Sequence, residues 1–452
     1  MTQQKIYDVI GIGIGPFNLG LAALLDRVDD IEALFFEQEK AFDWHPGMLI
    51  EGADMQTSFL SDLVTLADPT SPYTFLNYLH HHNRLYQFIN FHRFKIPRTE
   101  YNDYAKWVAS QLDDCHFGKQ VVDLIEHSDA SEPYYEVVVS SEAGETATET
   151  KETEHYYSRH VVLGTGGIPN ILPGFEAYDK DVFHTSQYMF HKDALGQAKS
   201  ITIVGSGQSA AEVFYDLLQD QERFGYELAL LTQAPGIFQL EQGKVAQEAF
   251  SPDYIKYFHS LPFDTRMETL PTLNPLRKGV DPHTLADLYD LLYERSVSRE
   301  DPPIKIQPVA EVRGIKPVNE NQGGPQRTYL LTCHQYQEDQ SFTHQTEKVI
   351  LATGYQFFIP DFMKKFSDQI VWEDEHRYKV SLDYKIEFKD KDKRANHIFT
   401  VSNLEHSHGA GATNLRLSVQ RNQRIINSIA GREVYPVPEN TVFQQFSMKN
   451  NH

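Results

Sequence analysis

The chain has 452 residues, too many for one small core, and its 40% hydrophobic and 23% charged content is that of a folded globular protein, not of a disordered or fibrous one. The 63 acidic against 41 basic residues give a formal charge of -22, which disfavours nucleic acid and anionic membrane as partners and favours small cations. Cys115 and Cys333 stand in no CxxC or metal-ligand spacing, and neither an export signal nor a membrane-length apolar run is read, so the expectation is cytoplasmic, with no disulfide, membrane span or metal.

Residues 6–15, IYDVIGIGIG, make a β-branched run ending in glycines. A helical pattern follows to Leu25, then a second apolar run at 32–37. This predicts a βαβ unit. The turn reads Gly13, Gly15, Pro16, Phe17, Asn18, a GxGxxN relative of the dinucleotide fingerprint. Gly13 permits the tight turn, Gly15 admits a pyrophosphate, and Glu37 at the next strand end accepts a ribose hydroxyl. The same grammar returns at 200–205, 208–218 and 228–232, with Gly205, Gly207, Gln208 and Ser209 in the turn and Ala210 at the third glycine position. Thr232 and Gln233 stand where an NAD site places an acid, which favours NADPH. Nothing at that strand end is assigned to the 2′-phosphate.

The runs VVLGTGG at 161–167 and VILATGY at 349–355 bracket the second unit and end in small-residue turns, with Thr353 and Gly354 close to a cofactor. The predicted fold is therefore α/β, with two Rossmann-like domains, the second inserted in the first, and a smaller substrate region. The boundaries read as 1–190 for the first part of the FAD domain, 195–340 for the NADPH domain, and 345–452 for the return and substrate region. The stretches 141–155 and 318–327 read as surface loops. Two dinucleotide sites without a cysteine pair imply electron flow from nicotinamide to flavin and on to dioxygen. The run His80, His81, His82 reads as a solvated helix face, since three consecutive residues cannot share one face. His406 and His408 read equally as loop residues or as active-site lining.

Taken together, GIGIGPFNLGLAAL at 11–24, DWHPGM at 43–48, MQTSFLSDLVTLADPTSPYTFLNYL at 55–79, IPRTEYNDYAKW at 96–107, GSGQSA at 205–210 and LATGY before Pro360 resemble the flavin-dependent N-hydroxylating monooxygenases of siderophore biosynthesis. The likeness covers nearly the whole chain. It implies FAD, NADPH and dioxygen, a C4a-hydroperoxyflavin as oxygen donor, and a homotetramer. It places Met55, Gln56 and Arg98 at the flavin and nicotinamide as catalytic residues. Trp44 and His45 belong under the flavin, with a buried aromatic turn as the structural alternative; for Arg98 that alternative is a surface salt bridge. The amine must react unprotonated, which costs about 4 to 5 kcal/mol at neutral pH for a pKa near 10.4.

In the amino-acid hydroxylases of this family a lysine at FLKDL pairs with the substrate's α-carboxylate. Here Ser61 holds that place, and Gln247 replaces an asparagine that contacts the amino-acid end. Both changes point to an amine without a carboxylate: a diamine, putrescine first and cadaverine second, hydroxylated for hydroxamate siderophore assembly. Glu248, Asp281 and Glu405 are candidates to hold its distal ammonium. The alternatives are a lysine or ornithine hydroxylase anchoring the carboxylate through Arg277 or Lys278, a histamine hydroxylase, a sulfide or ketone monooxygenase, and an FAD- and NADPH-binding redox sensor.

Overall fold

The computed structural model describes residues 5–141, 152–178, 180–297, 302–318, 327–390 and 394–448. Strand Ile6–Ile12 lies in the middle of the first sheet, parallel to Ala33–Phe36 on one side and to Thr153–Leu163 on the other. Its last four residues are buried, as a parallel strand covered on both faces requires. Tyr134–Ser141 and Lys119–His127 extend the sheet as an antiparallel hairpin, and Ile398–Thr400 pairs in parallel with Val161–Leu163. Helix Pro16–Leu25 opens with proline in its first turn, where the missing N–H costs nothing, and buries nine of its residues. The last long helix, Leu415–Ala430, packs on it: Asn422 Nδ2 donates to Phe17 O at 3.0 Å, and beyond that helix Tyr435 Oη donates to Leu24 O at 2.8 Å. The chain therefore ends against the unit in which it began.

The second sheet is wholly parallel, in the order Ile304–Gln307, Glu227–Leu231, Ser200–Val204, Lys348–Leu351, Val182–His184. Helix Gln208–Phe224 covers it and stops at Gly225 in the left-handed conformation. Three antiparallel strands, Ala310–Pro317, Tyr329–Gln335 and Gln340–Thr346, pack beside it. The chain leaves the first sheet after Leu163 and re-enters it at Ile398, so the second sheet lies within an insertion. Where the two crossings run side by side, Ile168–Pro169 pairs antiparallel with Tyr355–Gln356.

Strand pairing moves the boundaries read from the sequence. Val182–His184 lies in the second sheet although it falls within 1–190, and Lys348–Leu351 does so although it falls within 345–452. Both are short apolar runs that suit any buried parallel strand, and only their partners decide the sheet. Of the two expected surface loops, 142–151 and 319–326 lie outside the described residues. Strand Thr153–Leu163 already begins inside the first of them.

Candidate active site

The two glycine turns are built alike. Gly13 has φ +86° and a side chain there would meet Gly164 O at 2.6 Å; Gly205 has φ +144° and would meet Ala352 O at 2.4 Å. Only glycine fits either place. By contrast, a Cβ on Gly15 or Gly207 would meet nothing within 4 Å, which leaves open backbone at a helix N-terminus where a pyrophosphate can approach. Asn18 is buried beneath the first turn, its amide donating to Gly13 O at 2.8 Å, so it braces the loop and lines neither of the two cavities of the site. Glu37 reaches back to the turn, accepting from Ile14 N at 2.8 Å and Glu39 N at 3.0 Å, and still faces the cavity expected to hold FAD.

That cavity, of about 710 Å³, is lined by Gly15, Pro16, Phe17 and Glu37, by the turn Gly164–Gly167, and by residues of the return segment including Asn403 and Glu405. A second cavity of about 530 Å³ lies between the two units, walled by Met48, Met55, Gln56 and Arg98 from the first and by Gln208 and Ser209 from the second. Trp44, His45, Tyr355, Thr413 and Leu415 line both, so the two spaces share a wall. Trp44 is held by Asn102 Oδ1, which accepts from Trp44 N at 2.8 Å, and its ring meets Tyr101 edge-on at 5.1 Å. His45 adopts φ +50°, and its imidazole is pulled down to about 4 by burial, with the charges of Arg98 and His184 adding. It is neutral at physiological pH.

Arg98 opens helix Arg98–Ala109 and is no surface residue, with its side chain 12% exposed. Its guanidinium grips Glu212 twice, Nη2 to Oε1 at 2.7 Å and Nη1 to Oε2 at 3.0 Å, and Nη1 also donates to Met48 O at 2.8 Å. Glu212 lies on the helix of the second unit, where Gln208 one turn earlier donates to it at 2.8 Å and accepts from Asp281 N at 2.7 Å. Asp281 caps helix Pro282–Ser296 and binds Lys95 Nζ and Gln242 Nε2. A continuous polar network thus spans the two units along the wall of the smaller cavity. The sequence reading missed Glu212 and Lys95; the i, i+4 pair Gln208 and Glu212 was the available signal.

Several expected residues stand elsewhere. Ser61 is buried and lines neither cavity, its hydroxyl being far shorter than the lysine it replaces. Gln247 lines the smaller cavity and donates to Glu241 O at 2.8 Å. Its neighbour Glu248 does not: both its oxygens accept from the C-terminal segment, Phe443 N at 3.0 Å and Gln444 N at 2.9 Å. Adjacent residues on the tight turn Ala246–Ala249 point apart, which removes Glu248 from the substrate site. Asp281 is saturated by the partners named above, and Glu405 lines the larger cavity, paired with Arg277 at 2.5 Å. Thr353 and Gly354 line neither cavity; they tie the return crossing to Asn170, which donates from its backbone to Gly354 O at 2.9 Å. His406 lines the larger cavity, His408 is fully buried against Tyr384, and His80, His81 and His82 are exposed.

Known proteins resemble this chain over most of their lengths. The chain is 39% identical to the putrescine N-hydroxylase of Acinetobacter baumannii over 449 residues, covering 99% of this chain and 95% of that protein. It is 37% identical to the putrescine N-hydroxylase of Shewanella oneidensis, covering 99% and 86%. The FAD-bound cadaverine monooxygenase of the desferrioxamine pathway from Erwinia amylovora superposes with a TM-score of 0.90 at 35% identity, covering 99% of this chain and 100% of that one. Because the family model described as L-lysine 6-monooxygenase/L-ornithine 5-monooxygenase matches residues 5–357, from the first nucleotide-binding strand to just past the return crossing, the chain belongs to that family.

Proposed function

We propose that this enzyme uses FAD, NADPH and dioxygen to N-hydroxylate a primary aliphatic diamine, with putrescine preferred, for the assembly of a hydroxamate siderophore. The observation that carries the substrate is that, among the described residues, each Lys or Arg on the wall of the smaller cavity already has an acidic partner, Lys95 with Asp281, Arg98 with Glu212 and Arg277 with Glu405, while Ser61 lines neither of the two cavities. The relatives named for putrescine and cadaverine agree with this reading.

Bound in the larger cavity against Gly15 and Glu37, FAD supplies the redox chemistry that activates dioxygen once NADPH has reduced it. The chain's own contribution is geometry and desolvation. Trp44, His45 and Tyr355 in the shared wall separate the two spaces, while Met48, Met55, Phe250 and Leu415 present an apolar surface to the amine. Such a wall disfavours the ammonium over the neutral nucleophilic amine, and neutral His45 adds no charge beside it. Gln208 and Ser209, at the start of the second unit's helix, are placed to orient NADPH.

One observation favours an amino-acid substrate instead: Arg277 Nη1 is buried with no hydrogen-bond partner among the described residues. Hydroxylamine formed per NADPH consumed, compared for putrescine, cadaverine, histamine, ornithine and lysine, decides. Coupled turnover confined to carboxylate-free amines supports the diamine reading; preference for ornithine or lysine overturns it.

For assembly and location, the exposed Tyr86, Ile89 and Phe94 around helix Leu85–Phe91 support a homo-oligomer, for which the family likeness implies a tetramer, and sedimentation would count the subunits. Among the described residues no helix is long and apolar enough to cross a membrane, and a cytoplasmic site of action agrees with that.

A further inference from the structure

A diamine presented for oxygen transfer at one nitrogen keeps an ammonium at the other, and a desolvated ammonium needs an anion. The carboxylates around the smaller cavity are nearly all engaged. Glu212 is held by Arg98 and Gln208, Asp281 by Lys95, Gln242 and the backbone of His283, Glu405 by Arg277, and Glu248 by the C-terminal segment. Asp54 differs. It lines the cavity half-buried, and its one partner among the described residues is Arg93 Nη1 at 3.3 Å, on a side chain 60% exposed to solvent.

Asp54 is also rigidly placed. It bridges to Pro97, and Arg98 N donates to Ala53 O at 2.9 Å, so the segment 53–55 is locked to the start of the helix that carries Arg98. Met55 and Gln56 follow directly and line the same cavity. Asp54, Lys95 and Gln242 face the smaller cavity only and not the wall shared with the FAD space, the placement that the non-reacting end of a substrate requires. Burial raises the Asp54 carboxyl above its usual range, the solvent-exposed Arg93 being the main opposing charge and Lys95 a smaller one while Asp281 adds to the rise, a state that an incoming cation relieves.

We propose that Asp54 is the carboxylate that receives the distal ammonium of the diamine, and that it thereby selects diamines over amino acids. The assignment rests on the diamine reading above. Binding displaces Arg93 to solvent, and because an exposed arginine pair is worth little the competition raises the KM only about two- to fivefold. An α-carboxylate brought to the same place would meet like charge.

The test compares putrescine with 1-aminobutane, which lacks the second ammonium, on protein of equal FAD loading. Asp54→Asn should raise the KM for putrescine roughly 10- to 100-fold, the loss of one charge-assisted hydrogen bond. 1-Aminobutane, as substrate or as competitive inhibitor, should be unaffected, and Asp54→Glu should recover most of the putrescine affinity. A putrescine KM within about twofold of the parent's, or an equal loss for both amines, overturns the assignment while the diamine reading stands. Preference of the parent enzyme for ornithine or lysine overturns the diamine reading and this inference with it. Should Asp54→Asn not load FAD, Arg93→Gln decides: removing the competing guanidinium should lower the KM for putrescine alone, and an unchanged value counts against Asp54.

Discussion

Replacing Glu212 by alanine tests the network that joins the two units. The substitution leaves Arg98, 12% exposed, with Met48 O as its remaining acceptor and no counter-charge. Stranding one partner of a buried pair costs about 3 to 5 kcal/mol, whereas breaking an exposed pair costs at most about 1 kcal/mol. Lys364 and Asp361, 67% and 87% exposed, provide that control within the same molecule. The assay is urea unfolding of Glu212→Ala, Glu212→Met, Arg98→Met, the double variant Arg98→Met with Glu212→Met, and Asp361→Ala, at a fixed excess of FAD. The double variant should recover most of the lost stability, since two well-packed apolar side chains replace a buried ion pair at little net cost. It should still reduce its flavin at least about tenfold more slowly with NADPH, because a misplaced hydride donor is costly. A loss below about 1 kcal/mol in Glu212→Ala, or a coupling energy near zero, would refute the desolvated bidentate pair.

Three other expectations follow from individual residues. Gly13→Ala, at φ +86° and 2.6 Å from Gly164 O, should yield protein that folds but is purified without FAD, and a normal flavin spectrum would contradict the geometry of the turn. Glu248→Ala should leave the KM for putrescine unchanged while exposing the segment near Phe443 to limited proteolysis; a raised KM would return Glu248 to the substrate site. His160, 9% exposed, has its imidazole pulled down to about 3, chiefly by burial and then by His397 and Lys385. Its folded value lies below that of the unfolded chain, so as pH falls from about 6.5 toward 3 the unfolded state gains the proton first and stability declines by about 1.4 kcal/mol per pH unit. His160→Gln keeps an acceptor for His397 N, which His160 Nδ1 now holds at 3.1 Å, and should flatten the slope between pH 6 and 4 by about that amount; equal slopes would contradict it.

The sequence by itself determined what local chemistry controls. A strand, a glycine turn and a helix lie within one short segment, so the strand–turn–helix geometry around Gly13–Gly15 and Gly205–Gly207 was legible, as was the position of Glu37 just past the next strand, and the insertion followed from the order of the runs. Met55, Gln56 and Arg98, placed by family likeness, do line one cavity. Tertiary structure alone decided the rest. Val182–His184 and Lys348–Leu351 joined the second sheet because pairing depends on what lies alongside, which a three- or four-residue apolar run does not encode. Arg98 found Glu212 more than a hundred positions away, and Gln247 faced the cavity while Glu248 turned to the C-terminal segment. Whether a charge is free or already matched depends on partners the fold brings from distant segments, and for that reason Asp54, unremarkable in the sequence beside Met55, stands out only once Lys95, Asp281, Arg277 and Glu405 are seen in their pairs.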